Sequence, residues 1–354
     1  MVKKITPQKI RLEAATVCQL QCPSCSTTQG IIKKNLGGGF LKFKDFQRLV
    51  DENPWVSHIE LSNNGEIFLN SELIKIIEYA HKKNISLTAS NGVNLNTVSE
   101  NVLESLVKYK FKHMTCSIDG ASEETYKIYR RRGNFDTVIE NIKKINHYKS
   151  LYQSKFPLLT WQFIAFGHNE HEISKARDMA KDLNMKFFLK FSYDELFSPV
   201  KNEQLVRKET ESEVATSSEY IQKHGRNQLQ THICSQLWNQ PQINWDGRVL
   251  GCCVNNWGDF GNAFDSSLIK ELNNEKIHHA RQMLLGKEEA REDIPCTSCS
   301  YYKIMQKHNS WLTINEIKNP ENLHWLRRMR ASAWTGRLGR LKVWIINTFR
   351  SRSI

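Results

Sequence analysis

Cys18, Cys22 and Cys25 follow the stretch Arg11–Leu12–Glu13–Ala14–Ala15–Thr16–Val17, and this CxxxCxxC run constrains the chain more than any other feature. Three thiolates are one short of the four that a cubane iron–sulfur cluster takes. An iron left without a protein ligand is open to an exogenous one, which is how a catalytic metal site differs from a closed structural one. Zinc is the competing reading of paired cysteines, but it wants four ligands, and the nearest spare histidine, His58, lies far along the chain.

Downstream of the cysteines, residues 8–195 alternate short apolar runs with amphipathic stretches, the pattern of a parallel α/β sheet. Strands are predicted over Lys9–Ala14, His58–Leu61, Ile85–Ala89, His113–Ile118, Leu158–Phe166 and Phe187–Phe191. Helices are predicted over Phe43–Val50, Ser71–Lys82 (opened by a serine cap), Val98–Val107, Asp136–Tyr148 and Ile173–Asn184. Residues 196–230 are polar and form a partly helical linker.

Three short runs fall at strand ends. They are Leu61–Ser62–Asn63–Asn64–Gly65–Glu66, Thr88–Ala89–Ser90–Asn91–Gly92 and Cys116–Ser117–Ile118–Asp119–Gly120. Active groups of parallel barrels sit at the C-terminal ends of strands. With the cysteine spacing ahead of them, these runs resemble the radical S-adenosylmethionine (SAM) superfamily. The resemblance implies a partial (β/α)6 TIM-like barrel over residues 8–200. It also implies a 4Fe–4S cluster on Cys18, Cys22 and Cys25, whose free iron is chelated by SAM. Reductive cleavage of SAM would then give a 5′-deoxyadenosyl radical that abstracts hydrogen from a substrate.

By the same resemblance, Asn63, Asn64, Gly65 and Glu66 take the place of the family's Gly–Gly–Glu–Pro run, which meets the methionine amino group. Asn64 stands where glycine is usual and Ile67 where proline is. Ser90 and Asn91 match a strand end near the SAM ribose, and Ser117 and Asp119 match the next one. An arginine at the start of the following helix commonly meets the SAM carboxylate; Arg130 is the candidate, with Arg131 and Arg132 beside it. Ser, Asn and Asp also favour turns on hydrogen-bonding grounds alone. The residue before the third cysteine is often aromatic in the family and lies against adenine; here it is Ser24, and Phe40 or Ile164 is the substitute. Tyr193, Asp194 and Glu195 follow the sixth strand, where a substrate-facing acid or base has its place. A helix start with favourable acids is the alternative there.

Five further cysteines follow residue 230: Cys234, Cys252, Cys253, Cys296 and Cys299. Trp245–Cys252 contains Asp246–Gly247, a strong hairpin turn. This hairpin and the closing Cys296–x–x–Cys299 resemble the SPASM/twitch extension of radical SAM enzymes, expected over residues 231–305. Adjacent cysteines on a strand point to opposite faces. Four ligands, Cys234, Cys252, Cys296 and Cys299, then close one auxiliary 4Fe–4S cluster, with Cys253 as the alternate to Cys252 and a four-cysteine zinc site as the alternative. Cys116 is expected to be a core thiol, and Trp238, Trp245 and Trp257 to pack this small domain.

The net charge is +13, and eight of those charges come from the acid-free segment 325–354. A surface evolved for nucleic acid is therefore not indicated. Residues 306–354 form a basic, helical tail, with Trp334, Leu338, Leu341, Ile345 and Phe349 at helical spacing. Such a tail suits an anionic membrane surface, or else packs on the barrel. No apolar run approaches twenty residues and the N-terminus lacks a signal-peptide core, so a cytoplasmic, at most peripherally membrane-bound protein is expected. The barrel begins within the first ten residues, leaving no room there for a leader-peptide recognition domain. With one auxiliary cluster, this tilts the expected substrate toward a carbohydrate or other small metabolite, and a flavodoxin- or ferredoxin-like protein is the expected electron donor to the cluster. A peptide- or protein-modifying enzyme and a non-catalytic metal-binding scaffold are the alternatives.

Overall fold

In the computed structural model of the 354-residue chain, residues 4–319 are described. The basic tail and its amphipathic stripe lie outside them, apart from its first residues. Seven parallel strands form one sheet in the order β6-β5-β4-β3-β2-β1-β7. They are β1 (Lys9–Leu12), β2 (His58–Glu60), β3 (Ser86–Val93), β4 (His113–Ser117), β5 (Leu158–Ala165), β6 (Lys186–Phe191) and β7 (Gln242–Ile243). The expected six strands are all present as a partial barrel of the α/β class. The seventh comes from the cysteine-rich C-terminal region: β7 pairs with β1 through Arg11↔Gln242 and Leu12↔Ile243.

The helices connecting the strands are α1 (Ile31–Leu36), α2 (Phe43–Glu52), α3 (Leu73–Lys82), α4 (Glu100–Lys108), α5 (Glu123–Tyr129), α6 (Phe135–Leu151) and α7 (Ile173–Asp182). The longer ones cover the sheet with an apolar stripe, whereas Ile32 and Leu36 of α1 pack with Leu250. In α3, Leu73, Ile76, Ile77 and Ala80 are buried, the i, i+3, i+4, i+7 pattern of one helix face. Ser71 does not cap α3; the Asn70 side chain accepts from the Glu72 N–H instead, at 2.9 Å. Two short helices, α8 (Glu203–Thr210) and α9 (Ser217–His224), occupy the linker region.

Strand periodicity divides the sheet into two chemistries. Ile10, Leu12, Ile59, Leu87, Met114, Cys116, Leu159, Trp161, Phe163 and Leu189 belong to the hydrophobic core shared with the helices. Their alternates form the inner face: Arg11↔Glu60, Glu60↔Thr88, Thr88↔His113, Ser117↔Gln162, Gln162↔Phe188 and Ile164↔Lys190 are paired in register. Cys116 is fully buried, as expected of a core thiol.

β3 runs four residues past its predicted end. Ala89 pairs with Met114, but the next pairing is Val93 with Cys116, so Ser90, Asn91 and Gly92 bulge out of register. A bulge re-aims the side chains it carries. Gly92 has φ +134°, and a Cβ there would stand 2.4 Å from Ser117 Oγ. Glycine is therefore required where the bulge presses on β4.

Beyond β7 the chain turns at Asp246–Gly247 as expected, with Asn244 N–H donating to the Arg248 carbonyl at 2.8 Å and Gly247 at φ +90°. A third arm joins it where Val249 N–H donates to Gly261 O at 2.8 Å. Trp245 packs against the glycine run 37–39, and a Cβ on Gly39 would lie 2.5 Å from its ring.

Candidate active site

The first three cysteines occupy the loop that leaves β1. Thr16 anchors this loop by donating its hydroxyl to Gly37 O at 2.9 Å, and Cys25 N–H closes a turn on Cys22 O at 3.1 Å. Cys22 is buried, with Cys18 and Cys25 half-buried, in an apolar nest of Leu20, Tyr129, Ile164, Phe166 and Phe197. Burial pushes the Cys18 thiol up to about 12 and the Cys22 thiol in the same direction, the latter against the pull of Arg130. Thiolates in such surroundings call for a cationic partner. Soft thiolate donors in an apolar shell suit an iron–sulfur cluster. Among the described residues, no three His, Cys, Asp or Glu side chains close tightly enough to hold one metal ion.

The four residues matched to the amino-group site lie against the root of this loop. Glu66 N–H donates to Val17 O at 2.9 Å, and a Cβ on Gly65 would stand 2.3 Å from Ala15 O. Asn64 turns its backbone and side-chain amides to the Glu13 carboxylate, at 3.1 and 3.2 Å. Glu13 is buried, and desolvation pushes its carboxyl up to about 8 against those hydrogen bonds. Glu66 is also buried, and desolvation raises it to about 7. Its carboxylate accepts from Asn94 N–H at 2.6 Å and Phe68 N–H at 3.2 Å. Asn94 in turn reaches Cys18 Sγ at 3.7 Å. Glu66 thus supports the cysteine loop through Asn94. Neither Glu13 nor Asn94 was expected from the sequence; a carboxylate ending an apolar strand is the one cue that pointed to Glu13.

Ser90 and Asn91 sit in the β3 bulge and are exposed. Ser90 N–H donates to the Glu60 carboxylate at 2.8 Å, and Asn91 Nδ2 to Asn63 O at 3.1 Å. Ser117 is buried beneath Gly92. Asp119, with no exposed surface, pairs with Arg130 at 2.6 Å and accepts from Ile164 N–H at 2.7 Å. Arg130 Nη1 also reaches Cys22 Sγ at 3.6 Å. Burial opposes the Arg130 charge, but Asp119 and Cys22 outweigh it and hold the guanidinium above its ordinary value. Arg131 and Arg132 are exposed, so Arg130 is the arginine that faces the cysteines. Its fork is already engaged by Asp119.

Ser24 is held from the end of β6. It donates its hydroxyl to Asp194 at 2.6 Å, and Tyr193 donates to its carbonyl at 3.0 Å. Asp194 also accepts from Leu196 and Phe197 N–H, both at 3.2 Å, and Glu195 accepts from Ser218 N–H at 2.8 Å. These acids therefore build a turn and a helix start elsewhere; no helix begins at residue 193. Of the two residues suggested to replace the missing aromatic, Ile164 lies in the cysteine nest. Phe40 bridges Ala15 instead.

The second cysteine set surrounds an apolar cavity of about 20 Å³ lined by Cys234, Cys252, Cys296 and Cys299 together with Leu237, Leu250 and Trp257. Cys253 is not in that lining. Its N–H donates to Gln236 Oε1 at 2.8 Å, and its carbonyl accepts from Asn63 Nδ2 at 2.9 Å. Burial pushes the thiols of Cys234 and Cys252 up. The four lining thiols can hold a second, fully ligated cluster.

The model of the Radical SAM superfamily matches residues 12–180, and the model of an iron–sulfur cluster-binding domain, SPASM, matches residues 234–300. The chain is 25% identical over 220 residues to a GTP 3′,8-cyclase of Clostridium botulinum (strain Okra / Type B1), covering 61% of this chain and 63% of that protein. It is 23% identical over 186 residues to the GTP 3′,8-cyclase of Petrotoga mobilis, covering 50% and 54%. The match thus spans less than two thirds of those relatives' length. The structure of Streptococcus suis SuiB bound to S-adenosylmethionine superposes with a TM-score of 0.60 at 15% identity, covering 88% of this chain and 74% of that one. That of anSMEcpe with bound AdoMet gives 0.55 at 15%, covering 96% and 99%. At these identities the likeness is one of fold.

Proposed function

The chain belongs to the radical SAM superfamily and carries an iron–sulfur cluster-binding SPASM domain, and from that premise we propose that it abstracts hydrogen from a small polar metabolite, a carbohydrate or a compound like one. When bound, the open cluster supplies the electron that cleaves the SAM sulfonium bond and releases the hydrogen-abstracting 5′-deoxyadenosyl radical.

Cys18, Cys22 and Cys25 would hold that cluster, with Glu66 and Asn94 fixing the loop from below. Leu20, Tyr129, Ile164, Phe166 and Phe197 keep water from the cysteines, as a reactive radical requires. Asn63, Asn64, Ser90 and Asn91 are the accessible groups at the strand ends, where SAM would lie, with Gly65, Glu66, Ser117 and Asp119 packed behind them. Cys234, Cys252, Cys296 and Cys299 would hold the auxiliary cluster, whose complete ligation suits it to electron transfer or to structure.

The observation that carries the substrate reading is the inner face of the sheet. Arg11 Nε donates to Gln242 at 2.8 Å, Thr88 to Glu60 at 2.6 Å, and His113 pairs with Thr160 and Ser90 at 3.0 Å. A wall so rich in fixed donors and acceptors recognises hydroxyl-bearing molecules, since each unmatched polar group would carry a desolvation cost. Among the described residues no helix is long and apolar enough to cross a membrane.

The test is anaerobic reconstitution with iron and sulfide, then SAM and dithionite, measuring 5′-deoxyadenosine with deuterated sugars and polyols, with GTP, and with peptides. Deuterium transfer from a sugar or polyol supports the proposal. Transfer only from GTP or a peptide replaces the substrate class. Absence of 5′-deoxyadenosine in every arm leaves the scaffold reading.

A further inference from the structure

Lys190 is a charged group at the C-terminal end of the inner face that, among the described residues, has no hydrogen-bond or ion-pair partner. It stands next to last in β6, the edge strand, in register with Ile164. Paired residues of parallel strands share a face, and Ile164 packs in the cysteine nest. Lys190 therefore belongs to the C-terminal, catalytic end of the inner wall.

Its charged neighbours are Asp119, Cys253 and Arg130. Asp119 is consumed by Arg130, with both Nε and Nη2 at 2.6 Å. Among the described residues the Lys190 ammonium makes no hydrogen bond or ion pair. Elsewhere on this wall charges are held: Arg11 by Gln242 and Ser62, and Glu60 by Ser62, Thr88 and Ser90. A half-buried cation without a counter-charge carries a desolvation cost, and burial pulls the Lys190 pKa below its ordinary value. Retaining such a group is explained if an anion arrives with the ligand. Cys253, next to Cys252 but outside the cavity of the second set, is close enough to act on the Lys190 charge, as is Arg130, which reaches Cys22.

We propose that Lys190 binds an anionic group, a carboxylate or phosphate, of the substrate on the inner wall. This deepens the proposed function: the small polar metabolite is an acid or a phosphate ester. An anion at Lys190 would anchor one end of the molecule and leave its hydroxyl-bearing part over the strand ends.

The experiment uses the full chain with both clusters reconstituted and SAM bound, and inorganic phosphate and acetate as probes. Equilibrium dialysis compares wild type with Lys190→Met and Lys190→Arg, and the same samples give the SAM dissociation constant and the yield of 5′-deoxyadenosine without substrate. Expected is at least a tenfold loss of affinity for one probe in Lys190→Met, affinity within threefold in Lys190→Arg, and unchanged SAM binding. Equal probe binding by wild type and Lys190→Met overturns the proposal, as does a loss confined to SAM, which would assign the lysine to the SAM carboxylate. Iron content and far-UV circular dichroism show whether each variant has folded. If wild type still yields 5′-deoxyadenosine while the probe result is negative, the anion site fails and the radical reading stands.

Discussion

Replacing Arg130 by methionine removes the cation that, among the described residues, pairs with Asp119, a carboxylate with no exposed surface. Breaking a buried pair from one side costs about 3–5 kcal/mol, mostly for the charge left behind. Asp119 keeps its hydrogen bond from Ile164 N–H, which places the expected cost near the lower end, about 3 kcal/mol. The double variant Asp119→Asn/Arg130→Met removes both charges of the pair and is expected to recover more than half of that loss. Urea unfolding followed by tryptophan fluorescence and far-UV circular dichroism measures both, each probe analysed separately because a chain of this size need not unfold in one step. The same arginine lies 3.6 Å from Cys22 Sγ. A cation there favours the more reduced cluster, so its removal lowers the potential. A charge-assisted contact is worth at most about 3 kcal/mol, which sets a ceiling of about 130 mV for one electron. An EPR-monitored redox titration reads the shift. A single variant as stable as wild type, or a potential that stays fixed or rises, refutes the reasoning.

Gly65→Ala forces a methyl to within 2.3 Å of Ala15 O; iron bound by Cys18, Cys22 and Cys25 is expected to fall at least severalfold, measured by iron assay and EPR, while the second set keeps its iron. Wild type is expected to bind about eight irons, and the Cys18/Cys22/Cys25 triple alanine variant about four. Cys252→Ala should lose the second cluster and Cys253→Ala should keep it, because only Cys252 lines the cavity. Glu13 is raised by burial to about 8 from an ordinary 4.5, so between those values the folded state holds a proton that the unfolded chain has released. Its contribution therefore weakens as pH rises through that window. Glu13→Gln should flatten the fall in urea midpoint between pH 5 and 8; an unchanged slope assigns it to other groups.

Strand and helix periodicity made the barrel legible, because the burial of one strand face and one helix stripe is written in local sequence. The cysteine sets were legible for a related reason, since thiols at fixed short spacing have few uses in one loop. The strand pairing of Gln242–Ile243 with β1 was not legible. Two residues carry no periodicity, and their partner lies at the far end of the chain. The β3 bulge escaped likewise, since Ser90–Asn91–Gly92 reads as a turn and only the packing of Ser117 under Gly92 keeps the strand going. Side chains such as Glu13, Asn94 and Lys190 gain their meaning from neighbours on other strands. At Arg130 the chain order suggested three candidates, and exposure of Arg131 and Arg132 selected one. Ser71 does not cap α3, which starts one residue later than a Ser71 cap would require; Asn70 accepts from the Glu72 N–H at that start.

The pairing of β7 with β1 also orders events during synthesis. Of the seven strands of this sheet β1 leaves the ribosome before the others, and β2 covers one of its edges early. Its other edge waits for residues 242 and 243, about 230 residues later, or roughly 10–50 s at ordinary elongation rates. Throughout that interval the nascent chain presents an unpaired strand edge beside the three thiols of the first loop, and such an edge is a template for wrong partners. The C-terminal cysteine region thus closes the barrel's first strand as well as bearing its own thiol set, and a chain stopped before Gln242 would keep that edge bare.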